Sequence, residues 1–125
     1  MASYGAMLLR LILGIVYVMH AYLALVIVTP AVMISDQIRY GVPFPEIATW
    51  YLILAHGLGG VFLVLGIYPR WAALVNVPAM LGATYFVHLK GGFWAHKGGY
   101  EYALVLLVAT LAAAMIGGGA LSLKR

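Results

Sequence analysis

Residues 11–35, LILGIVYVMHAYLALVIVTPAVMIS, contain no Asp, Glu, Lys or Arg, and 25 such residues wound as one helix would cross a bilayer. A hydrocarbon core about 30 Å thick takes roughly 20 helical residues at about 1.5 Å of rise each. Three further charge-free stretches meet the same condition: 47–69 with 23 residues, 71–89 with 19 and 102–123 with 22. Together they occupy most of a 125-residue chain that is 66% hydrophobic and 8% charged, a balance that excludes a water-soluble domain. A transmembrane barrel needs segments of about 10 residues with alternating apolar and polar positions. Here LILGIV, LALVIV and VFLVLG are apolar at every position. The reading is an all-α integral membrane four-helix bundle in which residues 1–125 form one domain. Its helices run over about 5–34, 46–68, 71–89 and 99–117, with antiparallel up-down connections.

The first run is about twice the length of a secretion signal's apolar region and no small-x-small site closes it, so it is expected to stay as an anchor. The chain has no cysteine, which removes disulfides, thiolate zinc sites and Cys-ligated iron–sulfur clusters. The four histidines follow no recognised ligand spacing, so no metal or haem site is expected. Seven scattered Lys and Arg form no stripe that could track a phosphate backbone, so no nucleic-acid partner is expected.

With four crossings, Arg10, Arg70, Lys124 and Arg125 share one side, and Arg39, Lys90 and Lys97 the other. Basic residues accumulate in short cytoplasmic loops, so both termini are expected on the cytoplasmic face of the cell's inner membrane. Tyr68-Pro69-Arg70 is a tight turn between the second and third helices. On the outer side, SDQIRYGVPFPE, broken by Gly41, Pro43 and Pro45, reads as a surface-lying loop, and KGGFWAHKGG as a chain that bends back with its aromatics at headgroup level.

At about 100° per residue, Arg10, Gly14, Tyr17, His20, Ala21 and Ala24 fall on one arc of the first helix, with Leu11, Ile12, Ile15, Val16, Leu23 and Val26 opposite and suited to lipid tails. An intramembrane charge normally faces the bundle interior, where small neighbours let backbones approach, so Arg10, Tyr17 and His20 are expected to point inward. In the second helix His56 sits beside Gly59 and Gly60. In the third, Pro78 is expected to kink the chain, while Asn76, Thr84, Tyr85 and His88 are polar. The fourth opens on Tyr100-Glu101-Tyr102 and carries only Thr110 inside it. The outer half of such a bundle gathers His20, His56, His88 and Glu101. Imidazoles at that depth suit a lipophilic ring carbonyl or the movement of its proton, since their ordinary pKa of about 6.5 leaves both states accessible. Interhelical hydrogen bonding is the plainer reading of the same histidines, and a headgroup-level helix cap that of Glu101.

Several blocks of this chain resemble the DoxX family of small four-helix bacterial and archaeal membrane proteins. Arg10-Leu11 followed by Gly14 and His20 resembles the family's first-helix pattern LLRLxLGxxFxxHG. GLGGVFLVLGIYPRWAAL is similar to its second-helix hairpin, and HLKGGFWAHKGGYEYALVLL to the block ahead of its last helix. Where the family often has a glutamate before Gly-Gly, this chain has His56, and the usual glycine after the first-helix histidine is Ala21. The resemblance implies association with membrane redox systems and singles out Arg10, His20, His88 and Glu101. Taken with the polar residues of the outer half, that association leads to the expectation of a quinone-type ligand held by His20 and His56, with Tyr85 and His88 at the entrance, Glu101 leading protons outward, and Arg10 and Tyr17 in the same interior. The alternative is a non-catalytic accessory subunit that packs against other membrane protein subunits of an electron-transfer or photosynthetic complex.

Overall fold

The structure is a computed structural model that describes residues 1–125, all of them helical or connecting. Helix α1 covers Ala2–Tyr22 and continues through a π-helical turn, Leu23–Ile27. There it stops, earlier than charge alone suggests. Pro30 has no N–H and disfavours helical geometry in the residue before it; Thr29 has left the helix with an extended ψ of 150°, at a φ of 84° that proline alone does not impose. A separate helix, α2, runs Pro30–Arg39 and packs against α3. The expected helix over 5–34 is therefore two helices. What was read as the start of a surface loop, Ser35 to Arg39, is helical. Counting the broken third span, Pro69–Gly91, as one, the bundle has five helical bodies rather than four.

Helix α3 covers Pro45–Leu65 and ends on Gly66 at φ 72°, the left-handed position that glycine takes without a Cβ penalty. After the Tyr68 turn, α4 (Pro69–Leu74) breaks at Val75–Asn76 and resumes as α5 (Val77–Gly82), which runs on into a second π turn, Ala83–His88. The break falls just ahead of Pro78, whose missing N–H cannot continue the ladder. Helix α6 is Glu101–Ile116, 16 residues, or about 24 Å of rise. Three helical bodies, Ala2–Ile27, Pro45–Leu65 and Pro69–Gly91, are long and apolar enough to cross a membrane, and α6 is a shorter apolar helix. The last charge-free run is helical only as far as Ile116, close to the expected end at about residue 117. Gly117, Gly118 and Gly119 end it, and residues 117–125 turn back across the bundle.

That tail lies along the α3–α4 turn, where Tyr68 N donates to Lys124 O (2.7 Å) and Lys124 N to Gly66 O (3.0 Å). Ala120 N also donates to Ser3 O at 2.9 Å, so both ends of the chain meet at one end of the bundle. At the other end the chain after α5 does bend back, closed by Tyr100 N to Gly92 O and Glu101 N to Phe93 O, each 2.8 Å. The closest packing is α1 against α3, with Arg10, Leu13, Gly14, Tyr17, Ala21 and Ala24 all buried. Ile12, Ile15 and Val26 lie outside, as the helical arc requires, whereas Leu11 and Val16 are half-buried and Leu23, though exposed, borders an interior cavity.

Candidate functional site

Two polar pairs hold the helices together near the middle of the bundle. Thr110 Oγ1 donates to Leu106 O one turn back at 2.6 Å, which uses its only proton. Tyr17 O–H must therefore be the donor in its 2.5 Å bond to Thr110 Oγ1, linking α1 to α6. Asn76 Nδ2 donates to Ala72 O at 3.0 Å, so its Oδ1 faces α3 and accepts from His56 Nδ1–H at 2.6 Å. The opposite amide orientation would set Oδ1 against the Ala72 carbonyl, two acceptors face to face. His56 stacks on Tyr17, ring centres 4.7 Å apart, and lies 6.4 Å from the His20 ring. Each of these groups except His20 is buried.

The tautomers follow from the partners. His20 Nδ1 lies 3.1 Å from Val16 O, which can only accept, so in the neutral ring this nitrogen carries the proton. In both His20 and His56 the lone pair is then on Nε2, and neither Nε2 has a partner in the chain. Thr49 Oγ1 is the one buried side-chain polar atom lacking a partner, so both Nε2 atoms keep accessible surface.

Both histidines line a cavity of about 160 Å³ between α1, α3, α5 and α6. Its floor is Tyr17, His56, Met80 and Leu106, all buried, and its rim carries Leu23 and Tyr102, both substantially exposed. His20 and His88 line it as well, and Met33 of α2 borders it. Both π turns contribute walls, through Leu23 and Ala24 on one side and Ala83 and His88 on the other. Such turns are rare and recur at functional sites because they widen a helix locally without ending it.

Of the seven residues expected at the site, four meet here: Tyr17, His20, His56 and His88. Tyr85 does not; it is 63% exposed and packs edge-on against Phe86. Glu101 accepts Ala95 N–H at 3.2 Å at the start of α6, away from the cavity. Arg10 is three turns from His20, about 15 Å along α1. Its buried guanidinium donates to Gly118 O (2.8 Å), Leu63 O (2.9 Å), Val64 O (2.7 Å) and Ala120 O (2.9 Å). That arginine is a fastener for the far end of the bundle, neither a lipid-facing cation nor a lining residue. Asn76 and Thr110, which fix the rings from behind, belong to the site in their place. Both were visible as isolated polar residues in apolar helices, but nothing in the sequence named their partners.

A family model described as DoxX matches residues 5–89, which takes in the block from Arg10 to His20, the glycine pair of α3 and the α3–α4 turn, but leaves α6 and the tail outside. No curated protein and no solved structure matches the chain.

Proposed function

This chain belongs to the DoxX family of membrane proteins, and from that premise we propose that it serves a redox assembly by holding a quinone-type headgroup in its hydroxylated, quinol form. The observation that carries this reading is that His20 and His56, each with an Nε2 that has no partner in the chain, line one cavity. Two acceptors suit hydroxyl donors better than carbonyls, so the reduced form fits the neutral rings. At about 160 Å³ the cavity is smaller than the roughly 300–1,000 Å³ of a whole small-molecule site. It suits a single ring, with an isoprenoid tail passing between Leu23 and Tyr102 into lipid. A bound quinol supplies two electrons and two protons. His20 and His56 receive hydrogen bonds at Nε2, and a proton arriving there sits on a ring whose other nitrogen is already held by Val16 O or Asn76 Oδ1. Tyr17 closes the floor and is locked by Thr110. Nothing in the chain carries electrons, so these pass to a partner redox protein in the same membrane.

Protein purified with its native lipids is expected to release quinone on solvent extraction. His56→Ala should lower the quinone-to-protein ratio about tenfold, the equivalent of one good hydrogen bond to the ligand, and Glu101→Gln should leave it unchanged. A His20→Ala, His56→Ala protein with the wild-type ratio would remove the imidazoles from the site and this function with them.

One observation favours the accessory role as a second reading. Phe93 and Trp94 are 45% and 57% exposed although their loop is fixed by backbone bonds and edge-on ring contacts. A rigid aromatic pair at the membrane edge is a surface on which another subunit would seat. Co-purification of a partner in fixed stoichiometry, lost in Trp94→Ala and without bound quinone, is what that reading expects.

For the termini, whose common end the Ala120–Ser3 bond establishes, we propose the cytoplasmic face of the inner membrane, because Arg10, Arg70, Lys124 and Arg125 gather there. A fluorescent protein fused to the C-terminus should fold and emit, whereas a periplasmic phosphatase fused there should be inactive. The reverse pattern would invert the topology.

A further inference from the structure

At the end where the termini meet, Arg70 and Arg125 border a cavity of about 560 Å³ together with Gly117, Gly118 and Gly119. Arg70 caps α6 through Met115 O (2.5 Å), Ala114 O and Ile116 O (each 3.3 Å), yet its Nε–H has no acceptor in the chain. Arg125 uses one nitrogen on Gly119 O at 3.1 Å. The Gly118 and Gly119 amides donate to nothing in the chain. All three acidic side chains, Asp36, Glu46 and Glu101, lie toward the opposite end, so no side-chain carboxylate answers these charges.

Tyr68 and Trp71 form one wall of this cavity and, at the same time, the mouth of a second one of about 620 Å³. The second is a groove between α3 and α4, and nine of its ten lining residues are hydrophobic. It follows α3 from Phe62 to Tyr51, roughly 16 Å toward the other side of the membrane. Its far end is closed by Tyr51 O–H donating to Val75 O at 2.5 Å, a carbonyl at the break between α4 and α5. A cationic chamber at the level of an interfacial Trp and Tyr, sharing those two residues with an oily slot of this length, has the polarity of one amphiphile.

We infer that the two cavities are one site for an acidic phospholipid, with its phosphate between Arg70 and Arg125 and an acyl chain in the groove below Trp71. The lack of a nearby acidic side chain favours a headgroup without a cationic arm, and the adjoining groove favours a lipid over free phosphate. The site shares no residue with the imidazole cavity and stands independently of the function proposed for it.

Trp71, 69% exposed at the junction, reports on it directly. With Trp50→Phe and Trp94→Phe making it the sole tryptophan, the full chain is reconstituted in phosphatidylcholine vesicles at about 0.5 M salt, where diffuse attraction is screened. Brominated-chain phosphatidylglycerol should quench Trp71 at a mole fraction about fivefold lower than brominated phosphatidylcholine. Arg125→Gln, which leaves the cap on α6 in place, should at least halve that preference, and Arg70→Gln with Arg125→Gln should abolish it. Millimolar inorganic phosphate should not affect the quenching. Equal quenching by the two lipids would overturn the inference. So would a preference untouched by Arg125→Gln, or one that inorganic phosphate erases, which would mark a site for a free anion.

Discussion

Arg10→Ala is expected to cost at least about 4 kcal/mol of stability, enough to leave much of the protein unfolded in mild detergent. Four of the five guanidinium donors are committed to the Gly118, Leu63, Val64 and Ala120 carbonyls. Two of these acceptors end α3 and two belong to the returning tail, so one side chain holds three segments together. Hydrogen bonds to a charged donor are worth about 1.5–3 kcal/mol each, and stranding their acceptors where water is scarce adds to the loss. Arg10→Lys keeps the charge but not the planar fork, and should recover less than half of the deficit. Denaturation with sodium dodecyl sulfate, followed by circular dichroism, reads both. An Arg10→Ala protein with the wild-type midpoint would show that the guanidinium is dispensable.

Gly14→Ala should be the next most damaging change, at about 2–3 kcal/mol. A Cβ there would come within 2.7 Å of Gly60 O and 2.8 Å of Val64 N, and backbone cannot step aside as a flexible side chain can. Gly60 is the reciprocal contact, since its Cβ would lie 3.0 Å from both Gly14 O and Val18 N. The added methyl must push α1 from α3, and Tyr17 and His56 ride on those two helices one turn away. Gly14→Ala should therefore lose bound quinone as well as stability. Gly5→Ala, with open space around it, should lose neither. Full stability in Gly14→Ala would mean that the α1–α3 crossing is looser than its geometry requires.

The inward face of α1 was legible because an apolar helix offers few polar residues to place, and a 100° step places them well over its first turns. That step fails inside a π turn, which takes up an extra residue, and Tyr85 lies in one. Its side chain consequently points out rather than into the cavity. The end of the first helix failed for a different reason. A lack of charge says that a segment tolerates hydrocarbon, not that it is helical, and the misjudged end carried its own breaker, Thr29-Pro30, whereas the last helix stops at Ile116, close to its expected end. Nor could the chain alone disclose that Asn76 meets His56 and Thr110 meets Tyr17. Those pairings depend on the relative depth and rotation of helices that are distant in sequence.

The carbonyls clasped by Arg10 carry a consequence for biosynthesis. Leu63 and Val64 leave the ribosome well after α1, and Gly118 and Ala120 only after α6. During translation the translocon must therefore accept a segment whose positive charge has no permanent companion, and the newborn bundle stays unfastened until the residues beyond α6 emerge. A premature stop codon just after Ile116 would spare every helix and still yield a product that quality-control proteases treat as unfinished.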